Sequence, residues 1–333
     1  MNILGIDTSC DDTSAAVVQD GQKVLSMVVT SQDQFHQKYG GVVPEIASRK
    51  HLELIIVTIQ EALDRAQLTL DDIDGVAVTD RPGLIGSLVV GIAAAKSIAY
   101  TRQLPLTAVN HLQGHAYALT FFHELTFPHL ALVVSGGHTL TAIIDQDWRM
   151  TIIGHTRDDA AGECLDKVSK MLDLGYPGGK IIDQMAKKGN PNAFTFPRPM
   201  IKDPSPHFSF SGLKTAVKVF LENNEKNKIE PFPPDVVASV QEAVMDVLVV
   251  KTHKTAQDLN LSLITVSGGV AANSRLRELF AHKAAATGFR VLFPPPEFCT
   301  DNAAVMGGLG FHQIRNHELA GLELNGKARV SMK

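Results

Sequence analysis

The chain has 333 residues, enough for about two domains, and its 44% hydrophobic and 20% charged residues exclude wholesale disorder. The formal net charge of -4 excludes a uniformly basic nucleic-acid coat. The longest apolar run, 84–95, stops at Lys96, short of the ~18 residues of a membrane helix. Cys10, Cys164 and Cys299 are too few and too far apart for a disulfide framework. Asp7, Asp11 and Asp12 interrupt the stretch where a signal peptide would need apolar residues, so a cytoplasmic protein without membrane contact is expected.

Taken in order, the pattern predicts strands at 2–6, 14–18 and 24–30, with a polar turn after the first. A helix with proline at its start is expected at 44–66. A strand at 75–79, a mostly apolar helix at 84–102 and a strand at 106–109 follow. The plan then restarts. Strands are expected at 129–134, 140–145 and 150–154, with the turn Ser135-Gly-Gly-His-Thr139 after the first. Helices at 158–174 and 179–188 precede a proline-rich stretch, 189–209. Further helices are expected at 212–222, 234–260, 273–288 and 301–317, with strands at 261–266 and 289–293. Two halves with one plan and no residue-level repeat imply an α/β fold of duplicated architecture, sheets covered by helices, and a ligand cleft between two lobes.

Four constellations carry chemistry. Asp7-Thr8-Ser9, Ser135-Gly136-Gly137-His138 and Ser267-Gly268-Gly269 each follow an apolar strand. Glycine lets backbone N–H groups approach a phosphate and hydroxyls add donors. As a set the turns point to a nucleotide, although none matches a P-loop. His111 and His115 share one face if their segment is helical, a spacing compatible with one metal ion. Leu112 stands where a zinc protease of the HExxH type needs its glutamate. Cys299-Thr300-Asp301-Asn302 reads either as a helix cap with an acid in the first turn or as the carboxylate of a 2-His-1-carboxylate site. Asp158, Asp159, Glu163 and Asp166 read first as an acidic helix start. Residues 180–228 hold nine Lys/Arg against four Asp/Glu. There Arg198, Lys202, Lys214 and Lys218 interleave with Phe194, Phe196, Phe208 and Phe210, a candidate RNA contact if the rings are not core.

These motifs form one ordered series. It runs from Gly5-Ile-Asp-Thr-Ser-Cys-Asp-Asp-Thr13 and Gly40-Gly-Val-Val-Pro-Glu-Ile-Ala-Ser-Arg49 through the histidine pair and Val134-Ser-Gly-Gly-His-Thr139. It continues through 158–167, Tyr176-Pro-Gly-Gly179, Phe194-Thr-Phe-Pro-Arg-Pro199, Phe208-Ser-Phe-Ser-Gly-Leu-Lys-Thr215 and Gly268-Gly-Val-Ala-Ala-Asn273 to Cys299-Thr-Asp-Asn-Ala303. Over residues 2–312 the series resembles the tRNA N6-adenosine threonylcarbamoyltransferase family, formerly called O-sialoglycoprotein endopeptidases. The resemblance implies a duplicated actin-like ATPase fold of the sugar kinase/heat-shock type. The lobes would be 1–110, completed by a C-terminal helix at 300–333, and 111–299, with an insertion at 156–258. It implies transfer of threonylcarbamoyl from threonylcarbamoyl-AMP to the N6 amine of adenosine 37 in tRNAs reading ANN codons, releasing AMP.

It further implies one divalent ion per chain, Fe(2+) or Zn(2+), held by His111, His115 and Asp301. The adenylate, or an ATP-type nucleotide in the same site, would be held by Val134, Ser135, Gly136, Gly137, His138, Asp166, Gly179, Asp183 and Asn273. Asp11 matches a position assisting catalysis. Implied partners are tRNA, a shorter non-catalytic paralogue forming a heterodimer, and a small P-loop ATPase. Departures from the usual pattern are Asp7 and Asp12 in place of glutamates, Asn110 and Gln113 in place of His and Glu, and Arg81 in place of Gly. A metalloprotease, which would lack its HExxH glutamate, a small-molecule kinase or chaperone-type ATPase, favoured by the fold alone, and a non-catalytic scaffold are the competing classes. Retention of both histidines and Asp301 favours the catalytic member.

Overall fold

The computed structural model describes residues 1–228 and 232–329. It divides into two compact units, Met1–Glu124 with the described residues from Asp301 on, and Leu125–Thr300. The first unit opens with β1 (Asn2–Asp7), β2 (Asp12–Gln19) and β3 (Lys23–Ser31), joined by short turns into an antiparallel meander. A short helix, α1 (Asp33–His36), leads to α2 (Pro44–Ala66), where Pro44 supplies a helical φ and lacks the N–H that a first turn leaves unpaired. Then come β4 (Gly75–Arg81), α3 (Ile85–Arg102), β5 (Leu106–Asn110) and α4 (His111–Tyr117).

β4 pairs parallel to β1, and β5 parallel to β4, so the order is β3-β2-β1-β4-β5. The strand period of two sorts the side chains. Leu4, Ile6, Val76 and Val78 pack with Ile55, Ile59, Leu88 and Ile92 of α2 and α3. Gly5 and Ala77 face the other way, towards the last helix.

The second unit repeats the plan. β6 (His129–Val134), β7 (Thr139–Ile144) and β8 (Met150–His155) form the meander. Four helices follow: α5 (Ala161–Met171), α6 (Gly178–Ala186), α7 (Ser211–Lys226) and α8 (Pro233–Asp258). β9 (Leu263–Ser267), α9 (Ser274–Thr287) and β10 (Arg290–Leu292) complete the sheet in the order β10-β9-β6-β7-β8. β9 runs parallel to β6 and β10 parallel to β9. Strand for strand this matches the first sheet, so the duplication legible in the residue pattern is a duplication of topology.

The last helix, α10 (Ala304–Arg315), closes the first unit. The expected C-terminal helix at 300–333 is therefore shorter at both ends, and its final residues, 330–333, lie outside the described residues. Residues 111–124, expected with the second lobe, fall in the first unit. The reason is packing: Gly114 of α4 abuts Met306 and Val305 of α10.

The proline-rich stretch before α7 is held by α8. Buried Lys251 donates to the carbonyls of Met200, Asp203 and Ser205 at 2.8–3.0 Å. Arg198 pairs with Asp246 at 2.6 Å, and the Ser239 hydroxyl accepts from Phe194 N–H at 3.1 Å. Phe196, Phe208 and Phe210 are buried in the core of the second unit. The aromatic half of the expected RNA contact is therefore core, because α5, α7 and α8 need apolar filling there more than the surface needs stacking platforms. Two of the interleaved cations are also committed, Arg198 to Asp246 and Lys214 to Asp159.

His129, at the start of β6, is fully buried, and the Thr126 backbone offsets only part of the cost of charging its ring there. Burial pushes its pKa from the ordinary 6.5 down to about 4. Between those values the unfolded chain takes up a proton that the native ring refuses, so stability falls as pH drops and is unaffected above 6.5. The slope is about 1.4 kcal/mol per pH unit. Urea unfolding at pH 7 and pH 5 is expected to show about 2 kcal/mol of acid loss from this group, absent in His129→Leu. An unchanged pH slope in the variant would reject it.

Candidate metal centre and nucleotide-binding turns

The carboxyl ends of the three parallel strands β1, β4 and β5 deliver Asp7, Arg81 and Asn110 to one edge of the first sheet, the edge where open α/β sheets place ligands. Asn110 caps α4 by accepting from Leu112 N–H at 2.9 Å. This departure from the usual histidine thus has a structural use. The helix so started places His111 and His115 one turn apart, with ring centroids 4.5 Å apart in a T-shaped contact. Both Nε2 atoms converge on Asp301 Oδ1, at 3.4 Å from His111 and 3.2 Å from His115. One ligand atom from each of the three residues lies within 4.8 Å of the others.

Asp301 reaches them because α10 begins at Ala304, not at residue 301. The expected helix-cap role of Thr300 and Asp301 is corrected: Asn302 accepts from Val305 N–H at 3.3 Å, and Asp301 precedes the helix. Asp7 Oδ2 and Ser9 Oγ stand 3.1 and 3.2 Å from His111 Nδ1. A proton on Nδ1 facing the Asp7 carboxylate leaves the Nε2 lone pair directed at the ligand position, the usual supporting bond of a metal-bound histidine. Beyond the Asp301 carboxylate that faces its Nε2, buried His115 has no hydrogen-bond partner, and its Nδ1 has none at all. Two imidazoles and one partly exposed carboxylate with convergent ligand atoms suit a divalent metal ion with open positions.

The electrostatics agree. Burial disfavours the charged ring of His111, yet Asp301 and Asp7 outweigh it and hold its pKa well above the ordinary value. Burial also raises Asp301, but His111 and His115 overcome it and hold that carboxylate well below its usual range. The group demands a cation, whether proton or metal.

Asp11 sits in the same turn. Burial raises its pKa, a Cys10 hydrogen bond opposes this, and the Asp301 charge adds to it. Such a carboxylate is a better proton acceptor than an exposed one. The Asp12 carboxyl is held higher still, by burial and then by Asp301 and Asp11. Arg81 is tied to the buried Asp80 carboxylate at 2.5 and 2.7 Å, so its charge is partnered.

In the second unit the turn after β6 closes with Ser135 N–H on His138 C=O at 2.8 Å and His138 N–H on Ser135 Oγ at 3.2 Å. A Cβ added at Gly136, Gly137, Gly179 or Gly269 would meet nothing within 4 Å, so these glycines border open space. Gly268, at φ 91, brings a Cβ position to 2.4 Å from Val134 C=O, a place only glycine fills. Asp166 accepts from Gly178 and Gly179 N–H at 2.8 and 3.3 Å and so starts α6. Asp183 accepts from the Ser274 N–H and hydroxyl at 3.1 and 2.8 Å. Asn273 donates to Gln241 at 2.7 Å and caps α9 through Leu276 N–H.

Thus Asp166, Asp183 and Asn273 all tie helix starts. Beside Ser274, a cavity of about 160 Å³ is lined by Lys187, Gln241, Glu242, Arg275 and Glu278. The acidic segment before α5 serves two helices: Glu163 lies in the first turn of α5 and accepts from Ala160 N–H at 3.5 Å, as expected of an acidic helix start, whereas Asp158 does not act there. Asp158 accepts from Phe210 N–H, Ser211 N–H and the Ser209 hydroxyl, so it caps α7 rather than its own helix. Asp159 binds Lys167 and Lys214. The roles of Asp7 and Ser9 beside His111, and of Gln241 beside Asn273, escape the residue pattern. Only the polar turn after β1 signals the first two.

Two matched sheets of this topology define a duplicated actin-like ATPase fold. Solved structures agree: component A of (R)-2-hydroxyglutaryl-CoA dehydratase from Acidaminococcus fermentans superposes with TM-score 0.59 at 14% identity, over 95% of this chain and 99% of that one. Full-length HypF, in a phosphate- and nucleotide-bound form, gives TM-score 0.61 at 12% identity, over 99% of this chain and 47% of that one. At such identities the likeness concerns fold alone. A sequence profile of the tRNA N6-adenosine threonylcarbamoyltransferase family matches residues 23–307. Proteins of that name are 48% identical in Syntrophotalea carbinolica, over 98% of this chain and 96% of theirs, and 50% identical in Geobacter sulfurreducens, over 99% and 96%. The chain belongs to this transferase family.

Proposed function

We propose that this chain transfers the threonylcarbamoyl group of threonylcarbamoyl-AMP to the N6 amine of adenosine 37 in tRNAs reading ANN codons. The observation that carries the reading is the convergence of His111, His115 and Asp301, backed by Asp7 and Ser9, in a chain of this family. The N6 nitrogen attacks the carbamoyl carbon. A C–N bond forms, the mixed-anhydride C–O bond breaks, and AMP leaves. Asp11 accepts the amine proton, for which its raised pKa suits it. Backbone N–H groups of Gly136 and Gly137, inside the turn from Val134 to His138, bind the adenylate phosphate. Gly179 and Asn273 border the nucleoside, and Asp166 and Asp183 hold α6 and the start of α9 in place for it. An ATP-type nucleotide would use the same groups. A divalent ion, Fe(2+) or Zn(2+), held by His111, His115 and Asp301 would supply Lewis-acid polarisation of a donor oxygen.

The donor is already activated, so positioning and charge stabilisation supply most of the rate. The target base must leave its stack to react. Partners in this reading are tRNA, a shorter paralogue without the metal residues, and a small P-loop ATPase. Leu52, Ile56 and Val57 on α2 and Ile85, Val89 and Tyr100 on α3 are exposed, which supports a docking face for the paralogue. A cytoplasmic site of action fits three free cysteines. Among the described residues no helix is long and apolar enough to cross a membrane.

The test is mass spectrometry of tRNA nucleosides after incubation with the chain, both partners and threonylcarbamoyl-AMP. Threonylcarbamoyladenosine is expected with the chain and absent without it. No product from a folded, metal-loaded chain with its partners would reject the reading.

A further inference from the structure

The turn between β1 and β2 carries Asp7, Ser9 and Asp11, and its backbone is tied from two sides. Leu84 N–H donates to Ser9 C=O at 2.9 Å. From α2, the fully buried His51 places Nε2 3.0 Å from Cys10 C=O and Nδ1 2.7 Å from Thr13 Oγ1. A carbonyl only accepts, so Nε2 carries the proton. Nδ1 then accepts from the Thr13 hydroxyl, and the ring is neutral. Gln32 Nε2, 3.4 Å from the same Nδ1, is also a donor and fits the same tautomer. Burial lowers the His51 pKa, which keeps this form. His51 therefore grips both ends of the segment that holds Asp11: the carbonyl before it and the side chain of Thr13 after it.

We propose that His51 is a positioning residue for the transfer reaction, fixing Asp11 through its Nε2–H bond to the Cys10 carbonyl. The proposal rests on the transferase reading for its kinetic part. Its geometric part stands alone. Asparagine and glutamine separate the two bonds. His51→Gln can place an amide N–H near the Nε2 position and keep the Cys10 bond. His51→Asn reaches only the Nδ1 position, so it keeps the Thr13 partner and loses Cys10.

The experiment measures kcat and KM for threonylcarbamoyl-AMP in the complete system. It also follows the alkylation rate of Cys10 in the isolated native chain by peptide mass spectrometry. Cys164 and Cys299 are buried in the second unit and report only its opening, so the urea unfolding midpoint of each variant is measured alongside as the reference for the first unit. H51N is expected to lower kcat by about tenfold or more with KM little changed, since a slightly misplaced group costs rate rather than binding. Its Cys10 is expected to alkylate about tenfold faster, since a freed turn opens locally. H51Q is expected to stay within about threefold of wild type in both.

Wild-type kcat in H51N, or equal losses in H51N and H51Q, would overturn the proposal. So would faster Cys10 alkylation fully accounted for by a lowered urea midpoint, which would make His51 a stability residue only. If wild type itself forms no product, the transferase reading fails. The alkylation contrast then still decides whether His51 holds the turn.

Discussion

Asp301→Asn is expected to release the bound divalent ion and to lower threonylcarbamoyl transfer by at least about a hundredfold. The substitution keeps size and removes the one negative charge shared by His111 Nε2 and His115 Nε2, at 3.4 and 3.2 Å. Two neutral imidazoles remain, and buried His115 Nε2 loses the carboxylate it faces. Metal content by plasma mass spectrometry and product by nucleoside analysis should fall together. Asp7→Asn should do less, about ten- to a hundredfold in metal affinity, because it weakens only the support of His111 Nδ1. Full metal occupancy in Asp301→Asn would remove residue 301 from the ligand set. Full activity with no metal would remove the ion from the reaction.

Gly5→Ala is expected to destabilise the first unit by about 3 kcal/mol or more and to cost metal as well. A Cβ at residue 5 would stand 2.1 Å from Ala303 C=O and 2.6 Å from Gly307 N. These are backbone atoms, not the ends of flexible side chains. β1 is hydrogen-bonded to β2 on one side and β4 on the other, so it cannot retreat. The start of α10 must move instead, and Asp301 lies just before it. Gly212→Ala is the comparison. It sits in the first turn of α7, and its Cβ would meet only Pro199 at 3.8 Å, so it should be neutral or slightly stabilising. Urea unfolding midpoints and metal content of the two variants test the claim. Wild-type values in Gly5→Ala would show that α10 does not set the ligand geometry.

The substitutions of the usual motif divide once the contacts are known. Asn110 caps the helix that carries His111 and His115, and Arg81 is neutralised by Asp80. Neither reaches the ligand atoms. The segment 158–167 keeps its acids for folding, since Asp158 starts α7 and Asp159 collects Lys167 and Lys214. Acidic residues before a helix are a local signal. Which helix they cap is a matter of what packs beside them.

Local pattern was enough for the order of the strands and the long helices, though not for the short ones at Asp33–His36 and His111–Tyr117, because period-two and period-3.6 burial are properties of neighbouring residues. The helix at Pro44–Ala66 and the strand at His129–Val134 have the bounds their residues predict. The histidine pair and the glycine turns were equally legible, as was the duplicated plan. The tertiary structure alone decided that Asp301 lies before α10, and it supplies the physical reason for the meeting with His111 and His115 that the family resemblance implies and spacing does not. It alone decided that Phe196, Phe208 and Phe210 fill a core instead of stacking bases, and that His51 reaches the Cys10 carbonyl. Each of these depends on which distant element occupies the space beside a residue. That is settled by packing and hydrogen-bond satisfaction across the whole fold, and no window of sequence contains it.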